Sequence, residues 1–598
     1  MNVLGLIASD TGGHPAACLL RDGRLIAFAE EERFIRVKQA AGYFPSHAVR
    51  FCLERAGLRL GAVDLLAFGW DATAYRWRFP LFLAASFVRQ RVQGAFAPRA
   101  PLQEGRPSLG SALAAGVRSL VGYHPRALTE KIVIGLRDAG QDTAKVPPIV
   151  FVKHHRAHAA SAFYSSGLQE SAVLVFDGHG EENAITIWRG DGPRLTLIQE
   201  IDIPHSLGWF YSAFTEYLGW SPDEGEVKLM GLAPFGAPDP AIVRHVERML
   251  ALTADGVRVD ATQLFYGRRS HGARFGDAVV RALGPPRGVD EPITDRHRAI
   301  AWAVQRRLEE AGLHLARRAL RLSGSANLCL AGGVALNCKM NGEIHRRGIA
   351  RRLFVQPLAH DAGVALGAAQ AVAMQHGDES RCLLDHLYWG PDYGNDAIEA
   401  VLHRNRIPFR RPPDIAAAAA RLIAAGQIVG WFQGRMEAGP RALGARSILG
   451  DPSRPEMKDL INDRVKLRES WRPFALSILE EHAGEYLQRP GPSPFMIVAH
   501  DVVPGKEPAI ASAMHAIDKT TRPQTVSRAT NPRFWSLIDG FRRLTGTPAV
   551  LNTSFNVKNE PIVCAPADAV RCFFGTGMDA LAIGDFLVEK AGGGRGAE

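Results

Sequence analysis

The chain has 598 residues, of which 46% are hydrophobic and 22% charged, so it is long enough for two large domains and has the composition of an ordinary globular protein. Its 71 basic residues exceed the 61 acidic ones by a modest margin, and most are interspersed with acids. This balance favours small anionic substrates over an extended nucleic-acid surface.

The apolar stretches are too short to span a bilayer, and the N-terminus has no basic region or cleavage site of a signal peptide. The seven cysteines form no Cys-x-x-Cys pair. We therefore expect a cytoplasmic protein with no membrane partner, in a reducing compartment.

Two stretches share one pattern of strands and turns. The first, VLGLIASDTGGHPAACLLRDGRLIAFAEE, predicts a strand ending at Asp10, a glycine turn, and two strands joined at Asp22-Gly23. Near residue 172, AVLVFDGHGEENAITIWRGDGPRLTLIQE repeats it, with a strand ending at Asp177. Such a duplication occurs in actin-like ATPases, so we predict an α/β fold with a duplicated actin-like N-terminal domain.

Segments with helical periodicity lie between and after these repeats. The segments FLAASFVRQRV, SALAAGVRSLV and LTEKIVIGLRDAG predict helices inserted within residues 74–146, and Arg296 to Leu322 predicts one long amphipathic helix. The turn-rich stretch 377–394 is the predicted linker. We therefore expect one domain over residues 1–376 and a second α/β domain over residues 395–598.

Two histidines and two aspartates are candidate metal ligands. His154 and His158 are four residues apart and share one face of a predicted helix. Asp177 and Asp361 each follow a predicted strand or turn and can complete the site. The alternative is that both histidines are structural.

A strand, a glycine pair and a helix start are predicted in LAGGVALN, which contains Gly333 and Asn337. Glycines there would let the backbone approach an adenosine or a phosphate, although close packing explains such glycines equally well.

Arginines and one lysine recur in glycine-rich or strand-end segments of the second half. Arginines presented in this way suit bidentate capture of phosphate or carboxylate. Solvated surface arginines are the alternative, which the neighbouring apolar side chains disfavour. The candidates are Arg441, Lys466, Arg468, Arg472 and Arg522, with Ser554 as a hydroxyl donor.

The set of motifs resembles the NodU/CmcH family of O-carbamoyltransferases over nearly the whole chain. The matching stretches are EERFIRVK, HHRAHAASAFY, DGHGE, KLMGLAPFG, GGVALNCKMN, HDAGVALGAA, GPRALGARSIL, WRPFA, RPQTV and NTSFN. The resemblance implies an actin-like (ASKHA) N-terminal domain, similar to the universal tRNA threonylcarbamoyl transferase, and a C-terminal domain similar to YrdC.

The resemblance also implies the reaction. The C-terminal domain would use carbamoyl phosphate and ATP, the latter with Mg²⁺, to form carbamoyl-AMP and release pyrophosphate. A hydroxyl of a small-molecule acceptor, such as a secondary metabolite or a sugar, would then attack the carbamoyl carbon in the N-terminal domain and release AMP.

Site roles follow the matching positions. The family's metal ligands, commonly of iron(II), match His154, His158, Asp177 and Asp361, and its adenosine contacts match Gly333 and Asn337. Its carbamoyl phosphate and adenylate contacts match Arg441, Lys466, Arg472, Arg522 and Ser554. His14 and Lys38 match catalytic positions on the acceptor side, but Pro15 stands where the family has an aspartate, which weakens His14 as the base.

Two other functions share these domain types. One is tRNA threonylcarbamoyladenosine formation, and the other is a non-catalytic nucleotide-binding regulator. The arginine set and the four candidate metal ligands favour an enzyme with no nucleic-acid partner. The acceptor is not encoded by the shared motifs, and a homodimer is a candidate assembly.

Overall fold

The computed structural model describes residues 1–8, 13–71, 73, 124–264, 274–378, 381 and 383–590. The chain divides into two compact units. The first unit comprises Met1–Ile7, Cys18–Leu25 and Gly57–Leu383, and the second unit comprises Ala8–Ala17, Ile26–Ala56 and Leu384–Glu598. No sequence pattern sets the two early segments of the second unit apart from their neighbours.

The described residues contain both strands and helices. The strands are β1 Asn2–Ile7, β2 Ala16–Arg21, β3 Arg24–Glu30, β4 Leu65–Phe68, β5 Ile149–Phe151, β6 Glu170–Gly180, β7 Asn183–Asp191, β8 Arg194–Asp202, β9 Leu250–Thr253, β10 Gly256–Val259, β11 Asn327–Ala331, β12 Arg352–Val355, β13 Val429–Phe432, β14 Arg446–Gly450, β15 Ala475–Leu479, β16 His500–Asp501, β17 Thr520–Thr521, β18 Pro523–Val526, β19 Ala549–Ser554, β20 Ala580–Ile583 and β21 Phe586–Glu589. The α-helices are Glu32–Ile35, Ser46–Ala56, Pro125–Asp138, His154–Tyr164, Leu207–Tyr217, Glu226–Leu232, Pro240–Met249, Asp277–Leu283, Asp295–Ser323, Cys338–Arg346, Ala362–Gln375, Asn395–Arg404, Ile415–Ala424, Met457–Ile461, Ala483–Tyr486, Pro532–Thr545 and Pro566–Phe574.

Two five-stranded sheets have the same strand order. One is ordered β3-β2-β1-β4-β5, and the other, taken from its opposite edge, β8-β7-β6-β11-β12. In each sheet the first strand of the repeat pairs in parallel with a later strand, β1 with β4 and β6 with β11. The repeated order confirms the predicted duplication and the actin-like α/β class.

The second repeat differs locally from its prediction. Strand β6 does not end at Asp177 but continues to Gly180, with an irregular register between Phe176 and Gly180. Such an irregularity bends a strand and redirects its side chains. Asp177 thus lies where the regular pairing of β6 with β7 is interrupted.

The second unit contains a seven-stranded mixed sheet ordered β18-β15-β19-β14-β13-β20-β21. Both faces of this sheet are covered, because neighbouring residues on one strand enter different cores. Val550 packs with the helices Ile415–Ala424 and Pro532–Thr545, whereas Leu551 belongs to a core that includes Ile398 and Phe573. Burial on both faces explains the continuous apolar runs of these strands.

Several predicted helices are confirmed. The long amphipathic helix spans Asp295–Ser323, and LTEKIVIGLRDAG falls largely in the helix Pro125–Asp138. The predicted helices FLAASFVRQRV and SALAAGVRSLV lie outside the described residues. Among the helices that the structure describes, none combines the length and the apolar character needed to cross a membrane.

Candidate metal and anion sites

The four predicted metal ligands come together in the first unit. His154 and His158 lie in the helix His154–Tyr164, Asp177 lies in β6, and Asp361 immediately precedes the helix Ala362–Gln375. One ligand atom from each residue lies within 4.8 Å of all the others. His154 Nε2 is 3.3 Å from Asp177 Oδ2 and 3.5 Å from Asp361 Oδ1, and the two histidine Nε2 atoms are 3.1 Å apart.

Neighbouring groups orient these ligand atoms. His154 Nδ1 lies 3.2 Å from the carbonyl oxygen of Gly69, which accepts a hydrogen bond from the Nδ1–H group and leaves the Nε2 lone pair for a metal. The backbone N–H of Gly333 donates to Asp177 Oδ1 at 2.8 Å, so Oδ2 is the oxygen that faces the histidines. Two imidazole nitrogens and two carboxylate oxygens suit several divalent cations. The residues present therefore fit a metal.

The charges in this cluster depend on one another. Burial disfavours protonation of His154, but its hydrogen bonds to Asp177 and Asp361 outweigh burial and raise its pKa well above the ordinary value. Burial likewise opposes ionisation of Asp177 and Asp361, yet their hydrogen bonds to His154 and His158 lower the pKa of both carboxyls. The two carboxylates stay ionised, and the site favours a positive charge.

Close packing of two helices brings the ligands together. In the helix Ala362–Gln375, a Cβ atom at Gly367 would lie 1.8 Å from the carbonyl oxygen of Ala157. The glycine therefore lets this helix approach the helix that carries His154 and His158. Its neighbours Val364, Ala365 and Ala368 are fully buried, as a tight helix contact requires.

Gly367→Ala should push the two helices apart. We expect it to destabilise the first unit by about 3 kcal/mol, because an inserted methyl group overpacks a rigid backbone contact. It should also lower the affinity for a divalent cation, since His154 and His158 move relative to Asp361. Chemical denaturation and metal titration measure the two effects. Gly61→Ala is the control, because a Cβ at Gly61 meets no atom within 4 Å; equal effects of both substitutions would contradict this account.

One of the two predicted adenosine contacts, Gly333, touches this cluster. Gly333 begins a short 3₁₀-helix, Gly333–Leu336, and its N–H is the donor to Asp177. Asn337 caps the helix Cys338–Arg346, because its Oδ1 accepts from the N–H of Met340 at 3.0 Å. Its amide also forms two hydrogen bonds with Gln305, each 3.0 Å. The structure thus gives Asn337 a capping role.

A second cluster, in the second unit, is built on Lys466. The lysine ends a single π-helical turn, Asn462–Lys466, and is buried. Its ammonium donates to Asn556 Oδ1 at 2.6 Å, to the carbonyl oxygen of Asn556 at 3.0 Å, and to the carbonyl oxygen and hydroxyl of Ser554. Lys466 and Ser554 are therefore brought together.

Three arginines extend the positive charge around Lys466. Burial lowers the pKa of Lys466 well below its ordinary value, and the charges of Arg468, Arg472 and Lys38 lower it further. Burial also lowers the pKa of Arg468, with added repulsion from Arg472 and Arg522. We call Lys466, Arg468, Arg472 and Arg522 the cation cluster.

Few acids balance the cation cluster. Glu469 Oε2 lies 4.0 Å from Arg472 Nη1, and it is the carboxylate that counters Arg468 and Arg472 in the described part of the chain. Among described residues, Arg468 Nη2, Arg522 Nε and Trp471 Nε1 are buried without an acceptor. Desolvated cations with unused donors are stabilised by an anionic ligand. The cluster can therefore bind phosphate groups.

Arg441 lies in a loop whose backbone is held at several points. Oε1 of the buried Glu437 accepts from the N–H groups of Leu443, Ala445 and Arg446, at 2.7, 3.3 and 3.1 Å. The carbonyl oxygen of Leu443 accepts from Gln524 Nε2 at 2.7 Å. Because Gln524 lies two residues after Arg522, the loop and the start of β18 are fixed side by side. We call residues 434–446 the arginine loop.

The two predicted catalytic residues both belong to the second unit. His14 is half-buried and lies two residues before β2. Lys38 begins a short 3₁₀-helix, Lys38–Ala40, and its charge lowers the pKa of Lys466.

Sequence reasoning missed Asn556, Glu437 and the segment Glu30–Arg36 as parts of the second site. Asn556 belongs to the quoted motif NTSFN, and its proximity to Ser554 was an available signal. Glu437 lies in the arginine-rich stretch but was not singled out. The segment Glu30–Arg36 contacts loops more than 400 residues away, which no local pattern shows.

The duplicated sheets, the His/Asp cluster and the cation cluster describe an α/β protein with two candidate sites. Residues 11–370 match the family model described as carbamoyltransferase N-terminus, and residues 420–590 match carbamoyltransferase C-terminus. The chain belongs to the carbamoyltransferase family and is a transferase.

Similar proteins cover most or almost all of the chain. An uncharacterized protein of Synechocystis, sll1178, is 38% identical over 613 residues, covering 96% of this chain and 95% of the relative. Nodulation protein NolNO of Sinorhizobium fredii is 37% identical, covering 96% of this chain and 78% of the relative. Nodulation protein NolO of Bradyrhizobium diazoefficiens is 42% identical, covering 73% of this chain and 79% of the relative.

Proposed function

We propose that this carbamoyltransferase activates carbamoyl phosphate with ATP to carbamoyl-AMP and transfers the carbamoyl group to a hydroxyl of a small molecule. The observation that carries this proposal is the cation cluster. One buried lysine and three partly buried arginines, two of them with unused donors, and little acidic compensation are suited to a substrate pair with many phosphate oxygens.

The activating step consumes carbamoyl phosphate, ATP and water. The P–O bond of carbamoyl phosphate breaks to leave carbamate and, with water, inorganic phosphate. A carbamate oxygen then attacks the α-phosphorus of ATP, the bond to the β-phosphate oxygen breaks, and pyrophosphate leaves with the electron pair. Catalysis of such displacements depends mainly on positioning and charge neutralisation.

The second unit supplies those two functions. Arg441, Arg472 and Arg522 neutralise phosphate oxygens, since a guanidinium can donate two parallel hydrogen bonds to a phosphate. Lys466 adds a compact charge, and Ser554 adds a hydroxyl next to it. Mg²⁺ accompanies ATP as its phosphate counterion. This arrangement resembles the YrdC-type activating domain that the motifs predict.

The transfer step uses the His/Asp cluster of the first unit in this proposal. The acceptor oxygen attacks the carbamoyl carbon of carbamoyl-AMP, the bond from that carbon to the AMP phosphate oxygen breaks, and the hydroxyl proton is lost. His154, His158, Asp177 and Asp361 would hold a divalent cation, for which we propose iron(II). When bound, such a cation supplies Lewis acidity without a change of oxidation state.

Other residues position the adenylate and the acceptor in this scheme. The backbone at Gly333 approaches the adenylate, while its N–H fixes Asp177. We propose that Lys38 lines the acceptor side and that His14 accepts the hydroxyl proton. The chain has no carboxylate directly after His14 to orient the imidazole, because Pro15 occupies that position.

Product analysis tests the function as a whole. The metal-loaded protein is incubated with carbamoyl phosphate, ATP and a panel of hydroxylated sugars and natural products, with tRNA as a further candidate acceptor. We expect a mass increase of one carbamoyl group on a small molecule, together with AMP. Modification of tRNA alone would favour the threonylcarbamoyl alternative, and the absence of any carbamoylated product and of AMP would contradict the proposal.

A further inference from the structure

The segment Glu30–Arg36, which we call the bridging segment, contacts both loops that border the cation cluster. It contains the motif EERFIR, and all of its residues belong to the second unit. One of its contacts is with the arginine loop, which carries Arg441. The other is with residues 556–564, which follow Ser554 and which we call the distal loop.

The contact with the arginine loop is made at Gly439, two residues before Arg441. The N–H of Gly439 donates to Glu30 Oε2 at 3.0 Å, and its carbonyl oxygen accepts from Arg33 Nη2 at 2.7 Å. The same Arg33 Nη2 donates to Glu30 Oε2 at 3.0 Å, so the three groups form a closed ring of hydrogen bonds. All of these groups are buried, which makes the ring rigid.

The contact with the distal loop is made by Arg36. Its Nη1 donates to the carbonyl oxygen of Ile562 at 2.6 Å, and its Nη2 donates to the carbonyl oxygen of Pro561 at 2.7 Å. The carbonyl oxygen of Glu560, one residue earlier, accepts from Asn556 Nδ2 at 2.7 Å. Asn556 in turn binds the Lys466 ammonium. Hydrogen bonds, together with the peptide link between Glu560 and Pro561, therefore connect Arg36 to Lys466.

An aromatic side chain lies between these two contacts. Phe34 packs against a small apolar cluster formed by Met436 and Ala442 of the arginine loop and by Ile562 and Cys564 of the distal loop. One ring thus touches both loops. Arg36 adopts a left-handed conformation, with φ of 60°, which is uncommon for a residue other than glycine. The surrounding contacts hold the backbone in this unusual state.

We propose that the bridging segment is a positioning device for the activating site, with Arg33 and Arg36 as positioning residues. It sets the separation between the loop that carries Arg441 and the loop that supports Lys466 and Ser554. This inference rests on the proposed adenylate-forming function. Because one loop carries Arg441 and the other supports Lys466 and Ser554, which bind the same substrate pair in this proposal, a small change in the separation of the loops should slow adenylate formation strongly.

Arg36→Ala is the most informative variant. Arg33 is less suitable, because it is buried with Glu30 and Glu32 and its removal would leave two buried carboxylates without their cation. We expect Arg36→Ala to lower kcat/KM for carbamoyl phosphate-dependent ATP–pyrophosphate exchange by about 100-fold. Transfer from supplied carbamoyl-AMP should be unchanged, because Arg36 bonds to the distal loop and not to the four candidate metal ligands. Millimolar guanidinium chloride should restore much of the lost exchange by occupying the vacated position, whereas urea or sodium chloride should not.

The matched control is Arg571→Ala. Arg36 Nη2 lies 3.7 Å from Glu560 Oε2, and Arg571 faces the same carboxylate at 3.3 Å, but the Arg571 side chain is 58% exposed. Its replacement should leave exchange unchanged. Wild-type exchange in Arg36→Ala, an equal loss in Arg571→Ala, or a loss that guanidinium does not restore would each overturn the inference. Absence of exchange in the unmodified protein would instead refute the proposed function.

Discussion

Lys466→Met should abolish the activating reaction while leaving the transferring reaction intact. Removing a buried, preorganised donor to developing phosphate charge costs about 100- to 1,000-fold in rate. Methionine keeps most of the volume of lysine but has no charge. The fall in rate therefore measures the loss of the ammonium group and not the opening of a cavity. Carbamoyl phosphate-dependent exchange of labelled pyrophosphate into ATP measures the first reaction, and transfer from synthetic carbamoyl-AMP measures the second.

The control for this variant is Lys558→Met, because Lys558 is an exposed lysine two residues after Asn556. It should exchange pyrophosphate at the unmodified rate. Loss of both reactions in a folded Lys466→Met protein would mean that the cation cluster does not serve activation alone. Retention of exchange would remove Lys466 from the proposed mechanism.

His158→Ala should have the opposite effect. The side chain is fully buried and its Nε2 lies 3.6 Å from Asp177 and 3.8 Å from Asp361, so truncation removes one of four ligand atoms. We expect transfer from carbamoyl-AMP to fall by at least about 100-fold, with a matching loss of bound metal. Pyrophosphate exchange should stay within a factor of about two, since the cation cluster is untouched.

The metal content of each protein is measured by elemental analysis after metal loading, alongside the two reaction rates. His376→Ala is the control, because His376 is an exposed histidine at the end of the helix Ala362–Gln375. It should retain both metal and transfer. A His158→Ala protein that binds metal normally and transfers at the unmodified rate would contradict the metal assignment.

Local patterns pointed to four residues that the structure brings together in the first unit. The spacing of His154 and His158 follows from helical periodicity, and the Asp177 segment was recognised through its strand and glycine turn. What the pattern could not show was the irregular register that ends regular pairing before Asp177, or the packing of Gly367 on Ala157. Both depend on neighbours far away in the chain.

The second unit shows this limit more strongly. The motifs named Arg441, Lys466 and Ser554 one at a time, but their common environment depends on Glu437, Asn556 and the bridging segment. The segment EERFIR reads as an ordinary charged helix end, because its partners at Gly439 and Ile562 lie more than 400 residues later. A charged motif near the N-terminus gives no indication of which loops it will contact.

The most direct test of the two-site account is pyrophosphate exchange by the unmodified protein. With ATP and Mg²⁺ present, labelled pyrophosphate should enter ATP when carbamoyl phosphate is added and should not enter it when carbamoyl phosphate is omitted or replaced by inorganic phosphate. This result would show reversible formation of an adenylate from carbamoyl phosphate. No exchange by intact, metal-loaded protein, or exchange that does not depend on carbamoyl phosphate, would contradict the central claim.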